Sequence, residues 1–134
     1  MAYNLESIDT NIVLRLLLND NPRQTALVRK LLLIPDTKYF LDDAAIAESV
    51  YVLHKTLHES RDTVSKRLNT LFDHKKLDFD RPLLSEIIPF WTQHPKLSWN
   101  DCYLAAKTAQ KQAEPLWTFD HKFAVQSPTA KLVN

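Results

Sequence analysis

The stretch Leu5-Glu-Ser-Ile8-Asp9-Thr-Asn11-Ile12-Val-Leu-Arg15-Leu-Leu-Leu18 changes character at a single residue. Leu5 to Ile8 reads as a short strand. Ile12 to Leu18 is apolar on nearly every side, with Arg15 its only charge, and reads as a helix covered on two faces. Asp9 stands at the junction. A strand that runs through an acid into a helix opens an α/β unit, and the rest of the chain repeats the device. Asn21 caps and Pro22 starts a helix to about Leu33, which Pro35 stops. Lys38 to Leu41 is a second strand. Asp43 then caps a helix through about Leu57, and Ser60 caps another to about Phe72. Leu77 to Phe79 is a short strand, and Asp80-Arg81-Pro82 starts a helix to about Trp91. Ser98 caps a helix to about Gln112, Pro115 to Phe119 is a strand, Asp120 to Val125 a helical turn, and Ala130 to Val133 an edge strand. Strands alternating with helices predict an α/β fold with a mainly parallel sheet and helices on both faces. The strands are short and the helices dominate, so an all-α fold is the alternative.

Composition narrows the chemistry. The 134 residues fit one domain with a real core, and 45% hydrophobic with 25% charged residues is ordinary for a soluble globular protein. Gly is absent, so helix ends and turns must rely on Asn, Asp, Ser and Pro, and Gly-rich phosphate loops are excluded. A net charge of +1 advertises no polyanion partner, and nucleic-acid binding would need a local basic stripe. The single Cys102 cannot form an internal disulfide and fits a reducing, cytoplasmic setting. No secretory leader is visible, and the apolar run at Leu16 to Leu18 is far too short to span a bilayer.

Four acids carry the functional reading. Asp9 and Asp120 directly follow strands, Glu48 lies just over one turn into the helix after the second strand, and Asp101 lies three residues after the Ser98 cap. Ligands of doubly wound sheets bind beyond the carboxyl ends of the strands, so all four are expected at one edge of one sheet. Carboxylates gathered there repel one another and call for a hard cation. Taken alone, an Asp at a strand end or in a first helical turn is usually a cap, which is the plainer account of Asp101. Glu48, among Ala47, Val50, Tyr51 and Leu53, is expected to be buried, where a lone Glu needs a partner or a metal.

Other candidates are weaker. His54 and His58 have the spacing of a zinc pair but no third ligand nearby, so a solvated face is preferred. No nucleophile sits in a Gly-flanked elbow. Asp101 beside Cys102 opposes thiolate formation, which leaves Cys102 as a small packed side chain. Trp91, Trp99 and Trp117 are expected in the core or at its edge, interleaved with apolar residues rather than forming a base-stacking platform. Lys66/Arg67, Lys75/Lys76 and Lys107/Lys111 are spaced like ordinary wet helix faces or turns, and some could form a phosphate-tracking rim.

At these residues the chain resembles the PIN-domain ribonucleases, and in particular the VapC-type toxins of bacterial toxin–antitoxin pairs. The resemblance covers nearly the whole chain. It rests on Asp9-Thr-Asn11-Ile-Val-Leu-Arg15, Asp43-Ala-Ala-Ile-Ala-Glu48-Ser-Val-Tyr, Asp101-Cys-Tyr-Leu-Ala-Ala and Leu-Trp-Thr118-Phe-Asp120-His-Lys-Phe123. The resemblance implies a Rossmann-like, three-layer α/β/α sandwich with a mainly parallel central sheet, residues 1–134 forming one nuclease domain. It implies Mg²⁺- or Mn²⁺-dependent endoribonuclease activity, a homodimer, and a cognate antitoxin protein as inhibitor. Asp9, Glu48, Asp101 and Asp120 match the acidic metal-site positions, and Asn11 and Thr118 the polar helpers beside the first and last acids. Asp9 and Asp101 would hold the ion, with Glu48 and Asp120 binding directly or through water. The chain departs from the family pattern in lacking Gly, including where Glu114-Pro115 precedes the last core strand, and in the polarity of its first strand, with Asn4 and Glu6.

Two other functions remain open at this point: a Mg²⁺-dependent phosphatase-like hydrolase with Asp9 as nucleophile, and a non-catalytic PIN scaffold that binds RNA or protein. The dimer has its own motive in the sequence. If Ile12, Val13, Leu16 and Leu17 cover the sheet, Leu14 and Leu18 remain apolar on the far side and fit an interface. The alternative is that the helix from Asn21 to Leu33 folds back over them.

Overall fold

The computed structural model describes residues 2–134. Among them are five strands, β1 (Asn4–Ile8), β2 (Thr37–Leu41), β3 (Leu77–Asp78), β4 (Leu116–Thr118) and β5 (Ala130–Leu132). The helices are α1 (Thr10–Leu17), α2 (Pro22–Leu32), α3 (Asp43–Tyr51), α4 (Arg61–Asn69), α5 (Arg81–Gln93), α6 (Trp99–Gln110) and α7 (His121–Gln126). The all-α alternative is thereby excluded. Every predicted element forms, with ends shifted by a few residues. One cap moves: α3 is capped by Asp42, whose Oδ1 accepts from the Ala44 N–H at 2.7 Å, one residue before the predicted Asp43. Beyond Tyr51 the helix widens into a π-helical turn, Val52–Thr56, and α4 tightens into a 3₁₀ turn, Thr70–Asp73.

The chain divides into two compact units, Met1–Asp80 and Arg81–Asn134. In the first, β1, β2 and β3 form a parallel sheet in that order, with Ile8 opposite Leu41. In the second, β4 and β5 pair in parallel, with Trp117 opposite Lys131. Hydrogen bonding thus assigns two sheets where the sequence predicts one. The polarity of β1 has a direct cause: it is an edge strand, exposed from Asn4 to Ser7, with Ile8 buried.

The first unit is built around α1, on which both α2 and α3 pack. Val13, Leu14, Leu17 and Leu18 are all buried, so the expected exposed face of Leu14 and Leu18 does not exist. A second helix within the same chain covers it. The second unit packs α5 on α6, and α7 on β4 and β5. Trp91 and Trp99 meet edge to face at 5.3 Å, and Cys102 is fully buried, as its small packed role requires.

The missing glycines leave a visible mark. Helices commonly end on a left-handed Gly that releases or satisfies the last carbonyls. Here the left-handed positions fall on Asp36 (φ 53°), His58 (φ 59°) and Gln112 (φ 54°), of which composition anticipated only the Asp. Long side chains reach carbonyls at and just beyond the helix ends instead. Arg67 Nη1 donates to Leu17 O at 2.7 Å, Tyr39 Oη to Leu31 O at 2.7 Å, and Lys76 Nζ to Ile34 O at 2.6 Å. His54, the first of the suggested zinc pair, has Nδ1 2.8 Å from Glu59 O, within the same closing turn.

Candidate metal and RNA site

In the first unit, β1 and β2 run in parallel and end side by side, so the helices that follow start at one edge. Asp9 is the N-cap of α1, its Oδ1 accepting from the Ile12 N–H at 3.1 Å. Glu48 projects from α3, which packs on α1. The next residue after Asp9 joins them: Thr10 Oγ1 donates to Glu48 Oε2 at 3.0 Å. Glu48 is exposed, not buried as predicted, because it lies on the solvent side of α3 while Ile46, Ser49 and Val50 take the buried side. Its polar partner is a hydroxyl, not a buried charge. Sequence reasoning missed Thr10; its only signal was its place at the first position of the helix that Asp9 caps. Asn11 is exposed in the same first turn.

In the second unit, Asp101 and Ser98 form a reciprocal capping box at the start of α6. Ser98 Oγ accepts from the Asp101 N–H at 3.0 Å, and Asp101 Oδ2 accepts from the Ser98 N–H at 3.2 Å. The capping account of Asp101 is therefore correct as far as it goes. Asp120 is the N-cap of α7, its Oδ1 accepting from the Phe123 N–H at 3.1 Å. Thr118, the last residue of β4, accepts the Asp120 N–H on Oγ1 at 3.0 Å. The polar helper beside the last acid thus sets the turn that presents it.

Each of the four carboxylates accepts a hydrogen bond on one oxygen. Hard oxygen donors of this kind suit Mg²⁺ or Mn²⁺, and Mg²⁺ commonly takes only one or two carboxylates beside its waters and substrate phosphates. Among the described residues no three His, Cys, Asp or Glu side chains are grouped to hold a metal ion. The acids come two to a unit, and three of the four cap helices whose N-terminal dipoles favour negative charge.

A separate cavity of about 530 Å³ in the second unit, walled by Phe90, Ala105, Ala106 and Ala109, contains none of the four acids. The aromatic residues correct one expectation. Trp117 lies outside the core: it is 57% exposed, with the Lys131 ammonium over its ring at 5.4 Å, and its neighbour Phe119 is 80% exposed.

Parallel α/β units whose strand ends carry capped acids define a class of protein that works at the carboxyl edge of its strands. Residues 7–126 match the PIN domain, and the chain belongs to that family, so its fold class is the predicted α/β sandwich with mainly parallel strands. PIN domains are usually nucleases and generally use divalent metals. No curated protein and no solved structure matches the chain. Among the described residues no helix is long and apolar enough to cross a membrane.

Proposed function

We propose that this chain is a Mg²⁺- or Mn²⁺-dependent endoribonuclease and the toxin of a toxin–antitoxin pair. One observation supports the reading: the hydrogen bond from Thr10 to Glu48, 38 positions away, brings Glu48 to the start of the helix that Asp9 caps. Asp9, Glu48, Asp101 and Asp120 act as one site in this reading, within a single domain of residues 1–134. Asn11 and Thr118 orient the first and last acids. When bound, the divalent ion supplies a water of lowered pKa and offsets the charge of the phosphodiester. The chain's own part is to hold oxygens still. Thr10 fixes one oxygen of Glu48, Ser98 fixes one of Asp101, and the Phe123 amide fixes one of Asp120. The remaining oxygens are left to bind the ion or to take a proton from water. The cytoplasm, a homodimer and a small inhibitory antitoxin complete the proposal.

The test is cleavage of total RNA by purified protein with Mn²⁺, beside Asp101→Asn. Cleavage by the wild type and its loss in the variant are expected. Hydrolysis of small phosphate esters without RNA cleavage would instead select the phosphatase reading. RNA binding with no hydrolysis of either substrate would select the scaffold.

A further inference from the structure

The cavity of about 530 Å³ in the second unit is lined by α5, α6 and residues 127–129. Its size lies within the range of about 300–1,000 Å³ that suits a small organic molecule. Ala105, Ala106 and Ala109 of α6 leave room that longer side chains would fill. Phe90 of α5 forms a wall, and His94 holds it in place: the two ring centres are 4.4 Å apart, and His94 Nδ1 lies 2.9 Å from Phe90 O. Two polar groups of the lining have no use within the chain. Ser127 is 2% exposed, its N–H donates to Phe123 O at 3.0 Å, and its carbonyl accepts from the Ala130 N–H at 3.2 Å, yet its Oγ has no hydrogen-bond partner. A buried hydroxyl left unpaired costs stability that Ala in its place would not. The backbone bonds fix the residue, and χ1 alone is free to turn the hydroxyl to a partner in the cavity. Glu86 is the second group. It is exposed, it is the one charged residue of the lining, and it has no ion pair among the described residues. Ser85, by contrast, already donates its hydroxyl to Pro82 O at 2.7 Å.

We propose that this cavity binds a small organic cation: an amine whose ammonium meets Glu86, whose apolar body lies against Phe90 and the alanines, and whose far end hydrogen-bonds Ser127. Charge selects the sign. Glu86 and Phe90 are one helical turn apart on the same stripe of α5, and a carboxylate and a ring face both attract a cation. An anion would meet repulsion from the one charge in the lining. The orphaned hydroxyl selects the other end. A wholly apolar body would leave Ser127 Oγ unpaired, whereas a ligand with a polar tip would satisfy it. None of the four acids lines the cavity, so a bound amine leaves their carboxylates untouched, and the inference stands apart from the nuclease reading.

Tyramine carries both an ammonium and a hydroxyl on an apolar ring and serves as the probe. 4-Hydroxyphenylacetate has the same ring and hydroxyl with an anion, and phenethylamine has the cation without the hydroxyl. Titration of the ¹⁵N-labelled protein with tyramine is expected to move the amide signals of Glu86, Phe90, Ala106 and Ser127, with a Kd of about a millimolar or tighter. Tyramine should bind at least about fivefold more tightly than 4-hydroxyphenylacetate, and Glu86→Gln should remove most of that difference. Tyramine should also bind about fivefold more tightly than phenethylamine. Ser127→Ala should remove this preference while unfolding at no lower urea concentration than wild type. Ala109→Phe, at an exposed edge of the cavity, should abolish binding of all three. Amide signals that stay still at about ten millimolar tyramine, or move only elsewhere, would overturn the site. Equal affinity for the anion would overturn the choice of a cation. A preference for tyramine over phenethylamine that survives in Ser127→Ala would overturn the role of the hydroxyl.

Discussion

At the scale of single residues, Asp9, Asp101 and Asp120 each close a helix start, and this duty can be separated from the proposed one of holding a metal ion. Asp120 holds the Phe123 amide, and in the proposed site its other oxygen would bind the ion. Asn caps a helix about as well as Asp, whereas Ala does not. Asp120→Asn should therefore unfold at the same urea concentration as wild type and lose RNA cleavage. Asp120→Ala should lose cleavage and in addition about 1 kcal/mol of stability. Equal stability of the two variants would show that the cap contributes nothing. The left-handed residues offer an independent check. Gln112, at φ 54°, bears a side chain where only Gly is unstrained. Gln112→Gly should raise stability by about 1 kcal/mol, less the added freedom of the unfolded chain, as read by chemical denaturation.

Among the elements, helix ends are the distinctive feature. Arg67 binds the Glu59 carboxylate through Nε and Nη2 and closes α1 through Leu17 O. The hydrogen bond to Glu59 holds the guanidinium pKa above its usual value, so Arg67 keeps its charge. Arg67→Met would leave Leu17 O without its donor and Glu59 without its cation. A loss of about 2–3 kcal/mol is expected from bonds to a charged, partly buried group. Tyr39 closes α2 in the same way, and burial first, then Glu6, pushes its phenol above the ordinary 10.0. A raised folded-state pKa means stability that is complete below pH 10 and is lost as pH rises through the folded value. Alkaline unfolding should thus be steeper in wild type than in Tyr39→Phe above pH 10, and the two should converge in slope near neutrality.

For the molecule as a whole, the proposed metal site makes a thermal prediction. A ligand that binds only the native state stabilises it, by about 1.4 kcal/mol at a tenfold excess over Kd. Mn²⁺ should raise the melting temperature by several degrees, and Asp9→Asn should blunt the rise. A melting temperature indifferent to millimolar Mn²⁺ would refute a metal site at these acids. The oligomeric state needs a new test, because Leu14 is 5% exposed and lies under other helices of its own chain. Leu14→Lys should now destabilise the fold by several kcal/mol, by burying an unpaired charge. Light scattering on the wild type remains the direct measure of the proposed homodimer.

The order of strands and helices and the helix starts, but for the α3 cap at Asp42 rather than Asp43, were legible from sequence alone, because caps and hydrophobic periodicity are local. Ser98 and Asp101 show this well: a three-residue spacing predicts a cap, and a reciprocal cap forms. What a side chain faces is not local. The periodicity of α1 marked Leu14 as apolar, but only the packing of α2 and α3 on α1 determined that it is covered within the chain. Glu48 was placed on its helix correctly and on the wrong side of it, since a run of small and apolar neighbours does not say which arc meets the core. Trp117 reads in sequence like Trp91 and Trp99. Tertiary structure left it in water, because exposure depends on which surfaces the rest of the chain covers, and no nearest-neighbour pattern contains that information.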